Sequence, residues 1–170
     1  MVEHDGIFIG LGSNLGDRER HIRDALRELE EQGDIRVVAV SELHETEPVG
    51  GAPGQPRYLN GAAELATRLG PHELLRRMHA VEDRHGRVRE VVNGPRTLDL
   101  DLLIHRDQLI DEPELSVPHP RMWKRVFVLL PLAEVCDLPR LAAARRLALS
   151  AQTEACDDVR RHSGTREALA

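Results

Sequence analysis

Aromatic side chains are nearly missing from this chain, which has one tryptophan, one tyrosine and two phenylalanines in 170 residues. A general nucleic-acid binder needs rings for base stacking and cations for phosphate. Scarce rings and a formal charge of -6 argue against that class. Cysteine is as scarce. Cys136 and Cys156 have neither the number nor the spacing of a disulfide scaffold or a zinc site. They read as ordinary thiols in a reducing compartment. Long apolar runs are lacking too: MVEHDGIFIG at the start carries acids, and the most apolar later stretch, Val126–Leu132, is broken by Pro131. The expectation is a soluble, cytoplasmic protein with no membrane partner and no need to be more than a monomer. Hydrophobic residues at 41% and charged residues at 31% still make a globular composition. One domain over residues 1–150 with a polar tail over 151–170 is expected.

The apolar pattern predicts the elements. Ile7–Leu11 reads as a buried strand, followed by the loop GLGSNLGD. Asp17 can cap a helix with Ile22, Ala25, Leu26 and Leu29 on one face, ended by Gly33. Ile35–Leu43 reads as a second strand. Glu45–Arg57 is too rich in proline and glycine for regular structure, and its length suits a lid. Tyr58–Leu69 reads as a third strand. Pro71 opens a helix with Leu74, Leu75, Met78 and Val81 inward, closed by His85-Gly86. An irregular stretch, Arg87–Pro95, precedes a strand over Thr97–His105, with which Gln108–Ile110 could pair through a turn at Arg106-Asp107. Helices are expected over Trp123–Val135 and Leu141–Leu149. The order β-α-β-β-α-β predicts an α+β fold: a ferredoxin-like antiparallel sheet with helices packed on it, an α/β/α sandwich.

The densest chemical signal is GPRTLDLD, Gly94 to Asp101. On a strand Asp99 and Asp101 share one face while Leu98, Leu100 and Leu102 take the other. Two carboxylates side by side are either a solvated acidic face or a seat for a hard divalent cation. Mg²⁺ keeps few protein ligands and fills its other positions with water and substrate phosphates. Arg87, Arg89 and Arg96 stand beside the pair, and guanidinium groups match phosphate oxygens. That company favours phosphoryl-type transfer from a nucleotide. His119, Arg121 and Arg125 in VPHPRMWKR make a second cationic group, suited to a polyphosphate tail or simply a charged helix start. Tyr58 and Asn60 offer a ring face and an amide edge to a flat heterocycle, and Phe127 could be the opposing face, although taken alone each reads more readily as core. The run Gly10 to Gly16 is one residue too long for a dinucleotide fingerprint. It either brings backbone close to a ligand, with Asn14 supplying an amide, or only joins strand to helix.

Together, IGLGSNLGD, TEPVG, YLN, EDRHGRVR, GPRTLDLDLL and VPHPRMWKRVFVLLPL, in this order over roughly residues 6 to 140, resemble the 6-hydroxymethyl-7,8-dihydropterin pyrophosphokinase family of folate biosynthesis. The resemblance implies that the β,γ-pyrophosphoryl group of ATP passes to the pterin hydroxymethyl oxygen, releasing AMP. It implies Asp99 and Asp101 as holders of two Mg²⁺, and Arg87 and Arg96 as neutralisers of charge in the transfer. Arg89, Ser116, His119 and Arg125 match nucleotide-binding positions. The pterin would stack between Tyr58 and Phe127 and bond with Asn60 and the backbone around Thr46 and Val49. Glu82 matches an acidic position for which the sequence alone suggests no role. Three positions depart from the family pattern: Asn93 where well-known members carry tryptophan, Glu90 near an often basic position, and Glu114 where some have arginine. Two other classes stay open at this point, a Mg²⁺-dependent kinase or nucleotidyltransferase on another acceptor and a ferredoxin-like ligand-binding module without catalysis.

Overall fold

Apolar residues at alternate positions and at helical spacing produce β1 (Ile7–Ser13), α1 (Arg18–Glu30), β2 (Ile35–Val40), β3 (His44–Thr46), β4 (Tyr58–Thr67), α2 (Pro71–Arg84) and β5 (Asp99–His105). There follow β6 (Ile110–Asp111), β7 (Ser116–Val117), a 3-10 turn (Met122–Lys124), α3 (Val126–Val135) and a helix over 138–150, here α4. This is a computed structural model, and it describes residues 5–48, 53–86, 96–150 and 152. The strand order is β2-β4-β1-β5, with β3 also on β4, and every pair is antiparallel. That is the expected α+β architecture. No helix among the described residues is long and apolar enough to cross a membrane.

Each face of the sheet has its own core. Ile7, Ile9 and Leu11 of β1 and Leu100 and Leu102 of β5 meet α1 and α2 through Ile22, Ala25, Leu29, Leu74, Met78 and Val81. On the other face Phe8, Leu103 and Ile104 meet Met122, Leu132, Cys136 and Ala144 from the 3-10 turn, α3 and α4. A bulge makes this possible: Phe8 pairs with Ile104 but Ile9 with Leu102, so Leu103 is the extra residue that lets β5 serve the second core. Burying each such large side chain contributes roughly 1.5–3 kcal/mol. Asp17 caps α1 by accepting from the Arg20 amide at 3.2 Å, as its sequence position suggests.

Three expectations need correcting. The start of the stretch expected to be irregular is a strand, because His44–Thr46 pairs with Tyr58–Asn60 along the edge of β4 that β2 has left. Ile110 does not pair with β5; it forms a separate ribbon with Val117, whose side chain is buried in the first core. The helix expected over Trp123–Val135 is interrupted at Arg125, which is extended at φ -120° and ψ 100°. The stretch 87–95 lies outside the described residues.

β5 is an edge strand, and α2 compensates for the missing neighbour. Glu82 is fully buried, and its Oε2 accepts the Leu100 amide at 3.1 Å, between the two aspartates. This is the role that sequence did not suggest. Removing the acceptor strands a buried N–H, so Glu82→Ala should lower stability by about 1–3 kcal/mol in urea titration. A change lost in experimental error would show that Leu100 has no need of it.

Candidate active site

The floor of the site is bare backbone. In the β1–β5 register Gly10 faces Asp101 and Gly12 faces Asp99, so each carboxylate stands opposite a residue without a side chain. A Cβ on Gly12 would come within 3.2 Å of the Asn60 side-chain oxygen and 3.7 Å of the Asp99 Cβ. The two glycines therefore belong to the strand, not to the following turn where the sequence reading placed Gly12. They leave a hollow shared by Asn60, Asp99, Asp101, Arg125 and Phe127.

Two larger recesses open from this floor. A cleft of about 320 Å³ is lined by Asp101, Ser116, His119, Arg121 and Arg125, together with Leu75 and His79 of α2. Charged and hydroxyl groups of this kind suit a polyanion. A smaller recess of about 90 Å³ is lined by Thr46, Glu47, Tyr58, Asn60, Arg96, Asp99, Arg125 and Phe127. Its two rings and one amide suit a flat heterocycle. Arg125 lines both recesses, and the aspartates stand on either side of the divide. The break between the 3-10 turn and α3 allows this placement. The Arg125 guanidinium carbon lies 5.7 Å from the Phe127 ring centre, a cation–π approach that holds both together.

Backbone contacts fix the walls. The His119 amide donates to the Leu103 carbonyl of β5 at 2.8 Å, docking the SVPHP segment on the aspartate strand. Pairing of β3 with β4 sets Thr46 opposite Tyr58, and Asn60 Nδ2 donates to Thr46 Oγ1. Arg96 reaches Asp99 at 3.1 Å, which offsets part of the repulsion between neighbouring carboxylates. The Thr97 hydroxyl donates to the His85 carbonyl at 2.6 Å, joining the residues that flank 87–95.

Of the residues singled out in the sequence, Thr46, Tyr58, Asn60, Arg96, Asp99, Asp101, Ser116, His119, Arg125 and Phe127 all line these adjoining recesses. Val49, Arg87, Arg89, Glu90 and Asn93 lie outside the described residues. Glu114 lines the polar cleft. The sequence reading missed His79, which lies one turn beyond Leu75 on the same side of α2; that spacing was the available signal. It also misjudged Asn14, whose carboxamide bonds to protein and not to an open pocket.

Asp99 and Asp101 fit Mg²⁺: both are half-exposed oxygen donors on one strand face. No three His, Cys, Asp or Glu side chains gather into a closed metal cage among the described residues. Two carboxylates with open space beyond them match a cation that takes its remaining ligands from water and phosphate.

Comparison with known proteins agrees with this geometry. The profile of the family described as 7,8-dihydro-6-hydroxymethylpterin-pyrophosphokinase matches residues 8–137. A protein of Bacillus subtilis (strain 168) named 2-amino-4-hydroxy-6-hydroxymethyldihydropteridine pyrophosphokinase is 48% identical over 130 residues, covering 76% of this chain and 77% of its own. A protein of the same name from Pseudomonas aeruginosa is 46% identical over 141 residues, 83% of this chain and 86% of that one. A folate synthesis bifunctional protein of Arabidopsis thaliana is 45% identical over 134 residues, 79% of this chain but 24% of that protein.

His119 is a titratable group of the polar cleft. Burial pushes its pKa below the ordinary 6.5, the cations Arg125 and Arg121 push it further down, and Asp99 pulls it part of the way back. It is therefore neutral at pH 7. Because the unfolded chain binds this proton more readily, the group costs nothing well above 6.5 and destabilises the fold as pH falls below that value. A proton NMR titration should place the His119 midpoint under the ordinary histidine range, and Arg125→Gln should raise it. A midpoint unmoved by that substitution would show that the cation has no part in the shift.

Proposed function

The chain belongs to the 7,8-dihydro-6-hydroxymethylpterin-pyrophosphokinase family, and from that premise we propose that it transfers the β,γ-pyrophosphoryl group of ATP to the hydroxymethyl oxygen of 6-hydroxymethyl-7,8-dihydropterin. The new bond joins that oxygen to the β-phosphorus, the hydroxyl O–H bond breaks with its proton passing to solvent, the bond from the β-phosphorus to the α,β-bridging oxygen breaks, and AMP departs carrying that oxygen. The observation that carries this reading is the meeting of a polar cleft and a ring-walled recess at Asp99, Asp101 and Arg125. Two substrates held in those spaces would present their reacting ends to each other over the glycine floor.

The pterin lies between Tyr58 and Phe127, with the Asn60 carboxamide reading its polar edge and Thr46 orienting Asn60. The triphosphate occupies the polar cleft, where Ser116, neutral His119 and Arg125 can donate hydrogen bonds to its oxygens. Arg96, already in place beside Asp99, faces the charge that develops during transfer without having to reorganise. Arg87 is proposed for the same task and Arg89 for the nucleotide, on the family pattern alone. Asp99 and Asp101 would hold Mg²⁺, two ions by the same pattern, and the metal supplies Lewis-acid neutralisation of phosphate oxygens. No covalent enzyme intermediate is required.

Incubation with ATP, Mg²⁺ and the pterin should yield AMP, and Asp101→Asn should lower the rate by about 10²–10³-fold. Tyr58→Ala should raise the KM for pterin by roughly tenfold with a smaller effect on the KM for ATP. ADP or pyrophosphate as the product would instead favour a kinase or nucleotidyltransferase on another acceptor. A folded protein without turnover would favour a binding module.

A further inference from the structure

Asn14 is 1% exposed and sits in neither recess, yet it bonds to two segments that help build them. Its backbone N–H donates to the Arg96 carbonyl at 3.0 Å, and its Oδ1 accepts the Arg96 N–H at 2.7 Å. Its Nδ2 donates to the Pro56 carbonyl at 3.2 Å and lies 3.5 Å from the Gln55 side-chain oxygen. The carboxamide therefore reaches partners 42 and 82 positions away. An asparagine that merely formed a strand-to-helix turn would bond within its own turn.

We propose that Asn14 is a positioning residue for the transfer: its carboxamide oxygen holds Arg96 against Asp99, and its amide nitrogen holds the segment that delivers Tyr58. The inference rests on the reaction proposed above. Its physical basis is that the regular β1–β5 ladder ends at the pair Gly12 and Asp99, leaving Arg96 beyond the last rung. Arg96 must nevertheless be fixed, because its guanidinium lies 3.1 Å from Asp99 and lines the ring-walled recess. Asn14 grips Arg96 by both its N–H and its carbonyl, which determines the direction in which the side chain leaves the backbone. The other arm sets the chain two residues before Tyr58. A neighbouring bond from Arg18 to the Arg57 carbonyl, 2.9 Å, reinforces that arm but does not reach Arg96. Asparagine alone among small residues presents an acceptor and a donor on one rigid plane, and at this burial water cannot replace either.

The two arms can be separated by substitution. Asn14→Asp keeps an oxygen for the Arg96 N–H and removes the donor to Pro56; Asn14→Ala removes both. Steady-state kinetics should show Asn14→Asp with kcat within about threefold of wild type and a pterin KM raised about tenfold. Asn14→Ala should add a fall in kcat of roughly 10- to 100-fold, the size expected when a catalytic group is misplaced by about an ångström. Equal losses of kcat in both variants, or wild-type constants in Asn14→Ala, overturn the proposal. Should Asn14→Ala fail to fold, Asn14→Asp decides alone: an unchanged pterin KM overturns it. The wild type is the control for the reaction, since absence of AMP there counts against the assigned activity and not against Asn14. Amide exchange by NMR then judges Asn14 by itself. The Arg96 amide should exchange at least about tenfold faster in Asn14→Ala than in wild type and stay protected in Asn14→Asp, and unchanged exchange in both variants overturns the proposal.

Discussion

Pairing of β1 with β5 is the interaction on which the rest depends, because it decides what stands opposite the two aspartates. In this register the neighbours are Gly10 and Gly12. A slip by one residue would set Leu11 beside a carboxylate and carry Asp99 and Asp101 into the core between the sheet and α1. The register is protected from both sides. On the core side Ile7, Ile9, Leu11, Leu100 and Leu102 are all buried, and their combined transfer energy resists any slip. At the outer edge the buried Glu82 carboxylate accepts the Leu100 N–H, a bond that a shifted β5 would break. The bulge at Leu103 marks where β5 stops serving the site and starts serving the second core.

Electrostatics explains how the surrounding groups are distributed. Adjacent carboxylates raise each other's energy, and a fold that keeps them side by side must bring positive charge to them. Arg96 approaches from the chain entering β5, and Arg125 from the extended residue between two helical segments. Arg125 occupies a one-residue break between two helical segments, and Arg96 lies outside regular structure just before β5. A side chain on a helix would have its direction set by the helix, whereas these two are aimed by one or two backbone torsions and a few hydrogen bonds.

Much of this was legible in the sequence, and the exceptions share a cause. Strands such as Ile7–Ser13 and helices such as Pro71–Arg84 announce themselves through local periodicity and caps, and the order of the elements is enough to suggest the sheet. Asp99, Asp101, Tyr58, Asn60, Arg125 and Phe127 could be named as candidates because their types suit metal, phosphate or ring binding, and all six line the adjoining recesses. What failed were statements about pairing at a distance. His44–Thr46 is a strand only because β2 ends early and leaves an edge of β4 free. Ile110 has its partner in Val117 and not in β5, since the ribbon lies beside the sheet. Glu82 had no readable role and Asn14 was offered the wrong ones, because their partners, Leu100 and Arg96, lie 18 and 82 residues away. Hydrogen bonds of that span leave no periodic trace in the chain.

Gly12 shows why local rules can mislead at such a place. In a strand, glycine costs conformational entropy and packs nothing, so propensity argues for a turn. Here the missing side chain is the useful property: a Cβ would press on the Asn60 oxygen that belongs to the ring-walled recess and crowd the base of Asp99. The cost of about 0.5–1 kcal/mol relative to alanine is offset by the long register that β1 keeps with β4 on its other side, from Ile7 with Leu65 to Ser13 with Leu59. A site floored by bare backbone needs two flanking strands to hold it flat. The central position of β1 between β4 and β5 is therefore a requirement of the chemistry as much as of the fold.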